Sequence, residues 1–291
     1  MDGYQQALEQ ACAVVGLDAG GARLLRFGSN AVYHLAAPVI VRVSRPGADL
    51  DAVRRTVQVA RWLEAEDYPA IRLIDVEQPV TAGGHGVTFW QSVSDSGDQF
   101  ASTAEKGVLL ARLHQLTAPD SLHLPALAHF AAAARRIDAN TWLSPDDRDF
   151  LTTSLDRLHD GYDKLDFVLP PGVIHGDASV GNVLRDPSGA PVLIDLDSFS
   201  VGPREWDLLQ TAMYYDSFGW LTGEEYEAFA AAYGYDIRQW PGYPLLREIR
   251  EFLMVAWVIQ QAADNPRAAA EAAKRIGTLR TGASRKDWRA Y

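Results

Sequence analysis

The strongest constraint on the fold is a change of texture near residue 93. Before it, the 291-residue chain alternates like strands joined by tight turns; after it, helix signals dominate. Apolar spacing at Tyr4, Ala7, Leu8, Ala11, Cys12 and Val15 predicts a first helix over 4–15, broken by Gly20-Gly21. Residues 22–27, 31–36 and 39–43 read as strands, the first two joined by Gly28-Ser29-Asn30. Residues 49–66 read as a helix, and 71–75 and 86–93 as two more strands that turn at Gly83-Gly84. Ser94-Asp95-Ser96-Gly97-Asp98 is a polar, breaker-rich link.

Beyond the link, Ala104, Val108 and Ala111 recur at helical spacing. Ser144-Pro145-Asp146-Asp147 supplies an N-cap, a first-turn proline and early acids. Thr222 with Glu225 predicts a capping box with Gly234 as the stop, and Asn265-Pro266 opens a last helix that Gly277 is expected to end. One β island interrupts, with strands at 182–185 and 191–194 around Asp186-Pro187-Ser188-Gly189. The pattern predicts an α+β chain with a β-rich part over 1–93 and a mainly helical part over 94–291.

Composition narrows the class. Apolar residues at 47% and charged residues at 22% describe a chain that folds around a core. The single cysteine, Cys12, excludes an intramolecular disulfide and a multi-cysteine zinc site, fits a reducing compartment, and reads as a buried small apolar group. A net charge of −11 argues against a nucleic-acid binder and mildly suits a cationic partner. The longest apolar run, 252–259, is too short to cross a membrane and reads as a core helix. The N-terminus has neither the basic nor the apolar region of a signal peptide. A cytoplasmic protein is expected, a monomer or weak dimer, without nucleic-acid or membrane partners.

The chemistry concentrates in His175-Gly176-Asp177-Ala178-Ser179-Val180-Gly181-Asn182, which follows the apolar Gly172-Val173-Ile174. Asp195 follows the apolar Val192-Leu193-Ile194, and Asp197 lies two residues on. Phosphoryl transfer needs a carboxylate that orients the acceptor hydroxyl and takes its proton, and hard oxygen ligands for magnesium. Asp177 can supply the first; Asn182 and Asp195 can supply the second. The five-residue step from Asp177 to Asn182 matches a kinase catalytic loop, and the hairpin that follows returns Asp195 beside Asn182.

His175-Gly176-Asp177 with Asn182, Ile194-Asp195-Leu196-Asp197, and Gly202-Pro203-Arg204-Glu205-Trp206-Asp207-Leu208 together resemble the aminoglycoside phosphotransferase family. The resemblance spans most of the chain, including the helix at 110–114. It implies a bilobal protein-kinase-like fold. A small β-rich N-lobe over 1–93 would carry an antiparallel sheet and a nucleotide-covering hairpin. A larger, mainly helical C-lobe over 94–291 would carry the catalytic loop and metal site. The implied activity moves the γ-phosphoryl of ATP, or of GTP, with Mg2+, to a hydroxyl of an aminoglycoside-like antibiotic or another soluble metabolite.

By the same resemblance Asp177 is the catalytic base, His175 braces its loop, Asn182 and Asp195 hold magnesium, and Asp207 ties its helix to the loop. Gly28, Ser29 and Asn30 form the nucleotide-covering turn, and Arg42 serves the phosphates. Residues 89–93, among them Trp90, Gln91 and Val93, form the hinge that meets the adenine through backbone groups. Two departures stand out. Arg42 is not lysine, and its fork differs in geometry. The stretch Arg54-Arg55-Thr56-Val57-Gln58 has no acid, so Thr56 stands where a glutamate usually pairs with that cation. This leaves a second reading, a nucleotide-binding pseudokinase or regulatory module without transferase activity. Retention of Asp177, Asn182 and Asp195 argues against it.

Several residues have plainer readings. Gly28-Ser29-Asn30 alone is equally an ordinary turn, and Arg42 alone a surface arginine. Asp197 is either a second metal-side carboxylate or a helix-start acid. His114 reads as a packed core histidine; His34, His85, His123, His129 and His159 show no metal spacing. Asp216, Glu224, Glu225 and Glu227 read as solvated helix surface, and Trp220, Tyr226, Phe229 and Tyr233 as core. Ser179 lacks the His–Asp pair a serine nucleophile needs.

Overall fold

Alternating apolar residues in the first ninety positions do build a sheet, and the computed structural model shows how far that pattern reaches. It describes residues 2–28, 30–93 and 99–289. The chain begins with α1 (Asp2–Val14), β1 (Arg23–Phe27), β2 (Asn30–His34), β3 (Val39–Ser44), α2 (Leu50–Ala65), β4 (Val80–Ala82) and β5 (His85–Gln91). Helices α3 (Thr103–Leu113), α4 (His129–Asp138) and α5 (Pro145–Tyr162) follow. Next come four three-residue strands, β6 (Gly172–Ile174), β7 (Val183–Arg185), β8 (Pro191–Leu193) and β9 (Ser200–Gly202). Helices α6 (Glu205–Asp216), α7 (Gly223–Tyr233), α8 (Tyr243–Val258) and α9 (Pro266–Thr281) complete the order. Residues 1–124 with 179–199 form one compact unit, and 125–178 with 200–291 form a second.

In the first unit, five antiparallel strands lie in the order β1-β2-β3-β5-β4. Val41, Val43, Val87 and Phe89 are fully buried with Ala7, Leu8, Ala11 and Cys12 of α1. Strand alternation then sends Arg42 to the opposite face from Val41 and Val43. Its register neighbours are Val32 on β2 and Thr88 on β5. Strand β1 is the exposed edge, with a register irregularity between Leu24 and Arg26.

The strand expected at 71–75 does not form. Gly83 and Gly84, both at positive φ, instead join Val80–Ala82 to β5 in a two-residue hairpin closed at Ala82 and His85. Residues 70–74 run as an extended connector. The Ile71 amide donates to Leu193 O (2.8 Å), the Ile74 amide to Phe89 O (3.2 Å), and Arg72 O accepts from the Gln91 amide (2.8 Å). The connector shares its hydrogen bonds between two partners, so neither pairing becomes a ladder.

The β7–β8 hairpin belongs to this unit because its edges are taken. Leu193 donates to Pro69 O (2.9 Å), the Ala101 amide to Val183 O (3.0 Å), and the Arg185 amide to Gln99 O (2.7 Å). Arg185 also grips Glu105 of α3 with both terminal nitrogens, at 2.7 and 2.5 Å. Glu105 is itself half of a capping box with Ser102.

The second unit is built around α8, whose Leu246, Ile249, Phe252, Val255 and Ala256 are buried. It packs against α4, α5, α6 and α9. The expected caps form: Ser144 Oγ accepts from the Asp147 amide, Thr222 and Glu225 make the capping box, and Gly234 stops α7. Helix α9 starts at the Asn265 cap but runs through Gly277 to Thr281, ending at Gly282 with φ 67°. Tyr226 and Phe229 are core, as read. Among the described residues, no helix is long and apolar enough to cross a membrane. Strands β6 and β9 pair antiparallel, Ile174 opposite Ser200, which fixes where the polar run after Ile174 begins.

Candidate active site

The candidate residues gather in two clusters, one in each unit. In the second unit, the loop after β6 is pinned from α6. The buried Asp207 carboxylate accepts the His175 amide at 2.6 Å and the Gly176 amide at 2.9 Å. The Trp206 indole donates to Gly176 O at 2.9 Å. His175 is fully buried, and its Nδ1 accepts the Asp177 amide at 3.3 Å. These bonds satisfy backbone groups in a segment that has no ladder of its own.

Asp177 emerges from this loop with 44% of its side chain exposed. Its Oδ1 accepts from Arg250 Nη2 of α8 at 2.7 Å and from Gln210 Nε2 of α6 at 3.2 Å. The surrounding protein works to raise the carboxyl's pKa, but the Arg250 charge, then His175 and the two hydrogen bonds, outweigh it. The result is a carboxyl held below its ordinary value and ionised at neutral pH. Arg250 in turn lies over the Trp206 ring, 5.3 Å from its centroid. His129 stacks on the same indole at 4.4 Å; burial first, and then Arg250, push its pKa down to about 3, so it adds no second cation.

In the first unit, the β7–β8 hairpin sets Asn182 beside the residue before Asp195: Ile194 donates to Asn182 O at 2.9 Å. Asn182 is 9% exposed, at the end of the 3-10 turn Val180–Asn182. Asp195 adopts φ 61°, in the left-handed region that aspartate tolerates better than most residues, and so turns the chain out of β8. Arg42 Nη2 donates to Asp195 Oδ1 at 3.1 Å and to Asp197 Oδ2. Asp197 also accepts from Thr56 Oγ1 and from Asn30 Nδ2, each at 3.2 Å. Burial opposes the Arg42 charge, but Asp197 and then Asp195 more than offset it, and its pKa rises. Among the described residues, no group of three or more His, Cys, Asp or Glu side chains could hold a metal.

The remaining candidates are spread along the first unit. Gly28 and Asn30 flank the β1–β2 turn, with the Gly28 amide donating to Asn30 O at 3.1 Å; Ser29 lies outside the described residues, as does the link 94–98. Trp90 is 1% exposed and its indole donates to Thr88 Oγ1, so its side chain belongs to the core. The Gln91 amide donates to Arg72 O and the Ser92 amide to Pro38 O (3.0 Å); Val93 is the last described residue before the link.

Sequence reading missed Arg250 and Gln210. Gln210 had a signal, since it lies one turn after Asp207 on α6 and so shares its face. Arg250 had none: α8 carries Arg247, Glu248, Arg250 and Glu251 in a row broken only by Ile249, and spacing does not say which of them meets the loop.

The fold is protein-kinase-like, of α+β class. It is similar to the choline/ethanolamine kinase family protein from Mesorhizobium loti, with a TM-score of 0.65 at 18% identity, covering 96% of this chain and 93% of that one. It is similar to an amicoumacin kinase solved with AMP-PNP, Ca2+ and Ami, with a TM-score of 0.72 at 14% identity over 98% and 95% of the two chains. The family model of the phosphotransferase enzyme family matches residues 23–249, and the chain belongs to that family. In sequence it is 46% identical to the "Probable ketoamine kinase" of Lactiplantibacillus plantarum over 63 residues, a stretch that spans 22% of this chain and 21% of that protein.

Proposed function

We propose that this protein is a small-molecule kinase that transfers the γ-phosphoryl of ATP, or of GTP, to a hydroxyl of an aminoglycoside-like antibiotic or another soluble metabolite. The observation that carries the reading is the state of Asp177: accessible, ionised, and held by Arg250 and Gln210 on a loop that Asp207 anchors. In this role Asp177 takes the hydroxyl proton as the acceptor oxygen bonds to the γ-phosphorus and the bond to the departing diphosphate breaks. His175 braces the loop from below.

Asn182 and Asp195 are the residues that would hold magnesium. They are hard oxygen donors, and few in number, which suits an ion that keeps water and substrate phosphates in its shell. Such an ion would neutralise charge on the phosphates. Arg42, with the turn at Gly28, Ser29 and Asn30, serves the phosphates, and the hinge at Trp90, Gln91 and Val93 serves the base. In this reading residues 1–93 form the nucleotide lobe and 94–291 the acceptor lobe, in a cytoplasmic monomer or weak dimer. The missing helix acid was the ground for a non-catalytic module, and the Arg42–Asp197 contact weakens that ground. A small-molecule acceptor is supported by structurally similar proteins that include an amicoumacin kinase and a spectinomycin phosphotransferase.

The test separates binding from transfer. Asp177→Ala should lose nearly all turnover while calorimetry finds nucleotide affinity within about threefold of the parent. Asp195→Ala should lose magnesium-dependent nucleotide binding. Parent-like turnover in Asp177→Ala, or unchanged magnesium-dependent affinity in Asp195→Ala, would overturn these roles.

A further inference from the structure

Helix α2 contains two acids, and both face away from Arg42. Asp51 is 80% exposed and pairs with Arg54 at 2.6 Å; Glu64 is 56% exposed and lies 4.0 Å from Arg72. The inward position is Thr56, 6% exposed, and it offers a hydroxyl. That hydroxyl reaches a carboxylate, Asp197, which arrives from the 3-10 turn Leu196–Ser198 packed on α2. The polarity of the contact is therefore inverted: the helix supplies the donor and the turn supplies the acid.

Asp197 is gripped by three separate elements. Arg42 of β3 and Asn30 at the start of β2 both donate to Oδ2, and the Thr56 hydroxyl of α2, whose one proton is shared with Ala52 O, lies 3.2 Å from Oδ1. A carboxylate that served a metal would have to give up this set. Asp195 accepts from the same Arg42 nitrogen at the longer distance of 3.1 Å, on the backbone turn beside Asn182. We infer that Asp197 is the standing acidic partner of Arg42, taking the place of the acid that α2 lacks, so that Asp195 is left for the metal. Asp197 is then a positioning residue: it holds the guanidinium fork in one orientation for an anionic ligand.

This inference rests on the kinase reading of Arg42 as a phosphate ligand, and its test distinguishes the two. ATP affinity is measured by calorimetry, with Mg2+ and separately in EDTA, for the parent, Asp197→Asn, Asp195→Asn and Asp197→Asn/Thr56→Glu. Asp197→Asn is nearly isosteric, and thermal melts of every variant report folding. The expected result is an affinity at least about tenfold weaker in Asp197→Asn under both conditions, the equivalent of about 1.4 kcal/mol. Asp195→Asn should weaken binding only when Mg2+ is present. The Thr56→Glu change should restore most of the lost affinity, because it returns an acid to the helix.

Parent-like affinity in Asp197→Asn overturns the inference and leaves the kinase reading standing. So does a loss confined to Mg2+, which would make Asp197 a metal ligand, and so does a folded double variant without rescue. A parent that binds no ATP in either condition overturns the kinase reading and this inference with it.

Discussion

In its proposed role as base, Asp177 has to be ionised before it can take a proton, and the cation that favours this is Arg250. Burial alone would raise the Asp177 pKa; Arg250, His175 and the two hydrogen bonds lower it instead. A lowered carboxyl contributes stability that is present above its unfolded value and lost as pH falls through its folded value. Arg250→Gln should therefore shift the acid limb of the kcat/KM profile to higher pH, with the fractional loss of activity largest on that limb and smallest near neutral pH. A loss of activity equal at every pH, with the limb unmoved, would make Arg250 a packing residue over Trp206 only.

At the scale of the element, what was legible depended on how local the determinant was. The caps at Ser144, Thr222 and Asn265 are short-range hydrogen-bond devices, and all three form where their residues stand. Of the two elements that differ from the pattern, the one at 71–75 has a tertiary cause. Residues 71–75 are apolar enough for a strand but are shared between β5 and β8, which no local window reveals. Gly277 resembles a helix stop, yet α9 continues past it. An alanine Cβ there would meet nothing within 4 Å, so Gly277→Ala should stabilise the protein by about 0.5–1 kcal/mol through helix propensity, read from the urea midpoint. Gly242 is the opposite case. A Cβ there would fall 2.2 Å from the Trp240 ring, which is fixed by its bond to Asp166 O and its stacking on Phe167. Gly242→Ala should cost about 1–3 kcal/mol by overpacking. A midpoint for Gly277→Ala at or below the parent's would contradict the first reading, and one for Gly242→Ala at or above it the second.

At the scale of the whole molecule, sequence order and spatial grouping part company. Residues 179–199 join the first unit because their partners at Pro69, Ile71, Gln99 and Ala101 lie about a hundred residues earlier in the chain, where nothing local announces them. The residues proposed for catalysis could be picked out, since residue types at fixed spacing mark them. The contacts around them could not: the Arg250–Asp177 and Arg42–Asp197 pairs arise only from packing. Charge behaves alike. The net −11 belongs to the whole chain, while Asp177 and Asp195 each have a cation, Arg250 and Arg42, within about 3 Å, well inside the screening length.

The central claim is phosphoryl transfer to a small hydroxylated acceptor, and mass measurement tests it most directly. The protein is incubated with Mg-ATP and a pool of aminoglycosides, other hydroxylated antibiotics, amino alcohols and sugars, with Asp177→Ala beside it. The account predicts one acceptor that gains the mass of a phosphoryl group with the parent and not with the variant. Equal gain with Asp177→Ala, or a parent that neither modifies any acceptor nor binds Mg-ATP, would contradict it.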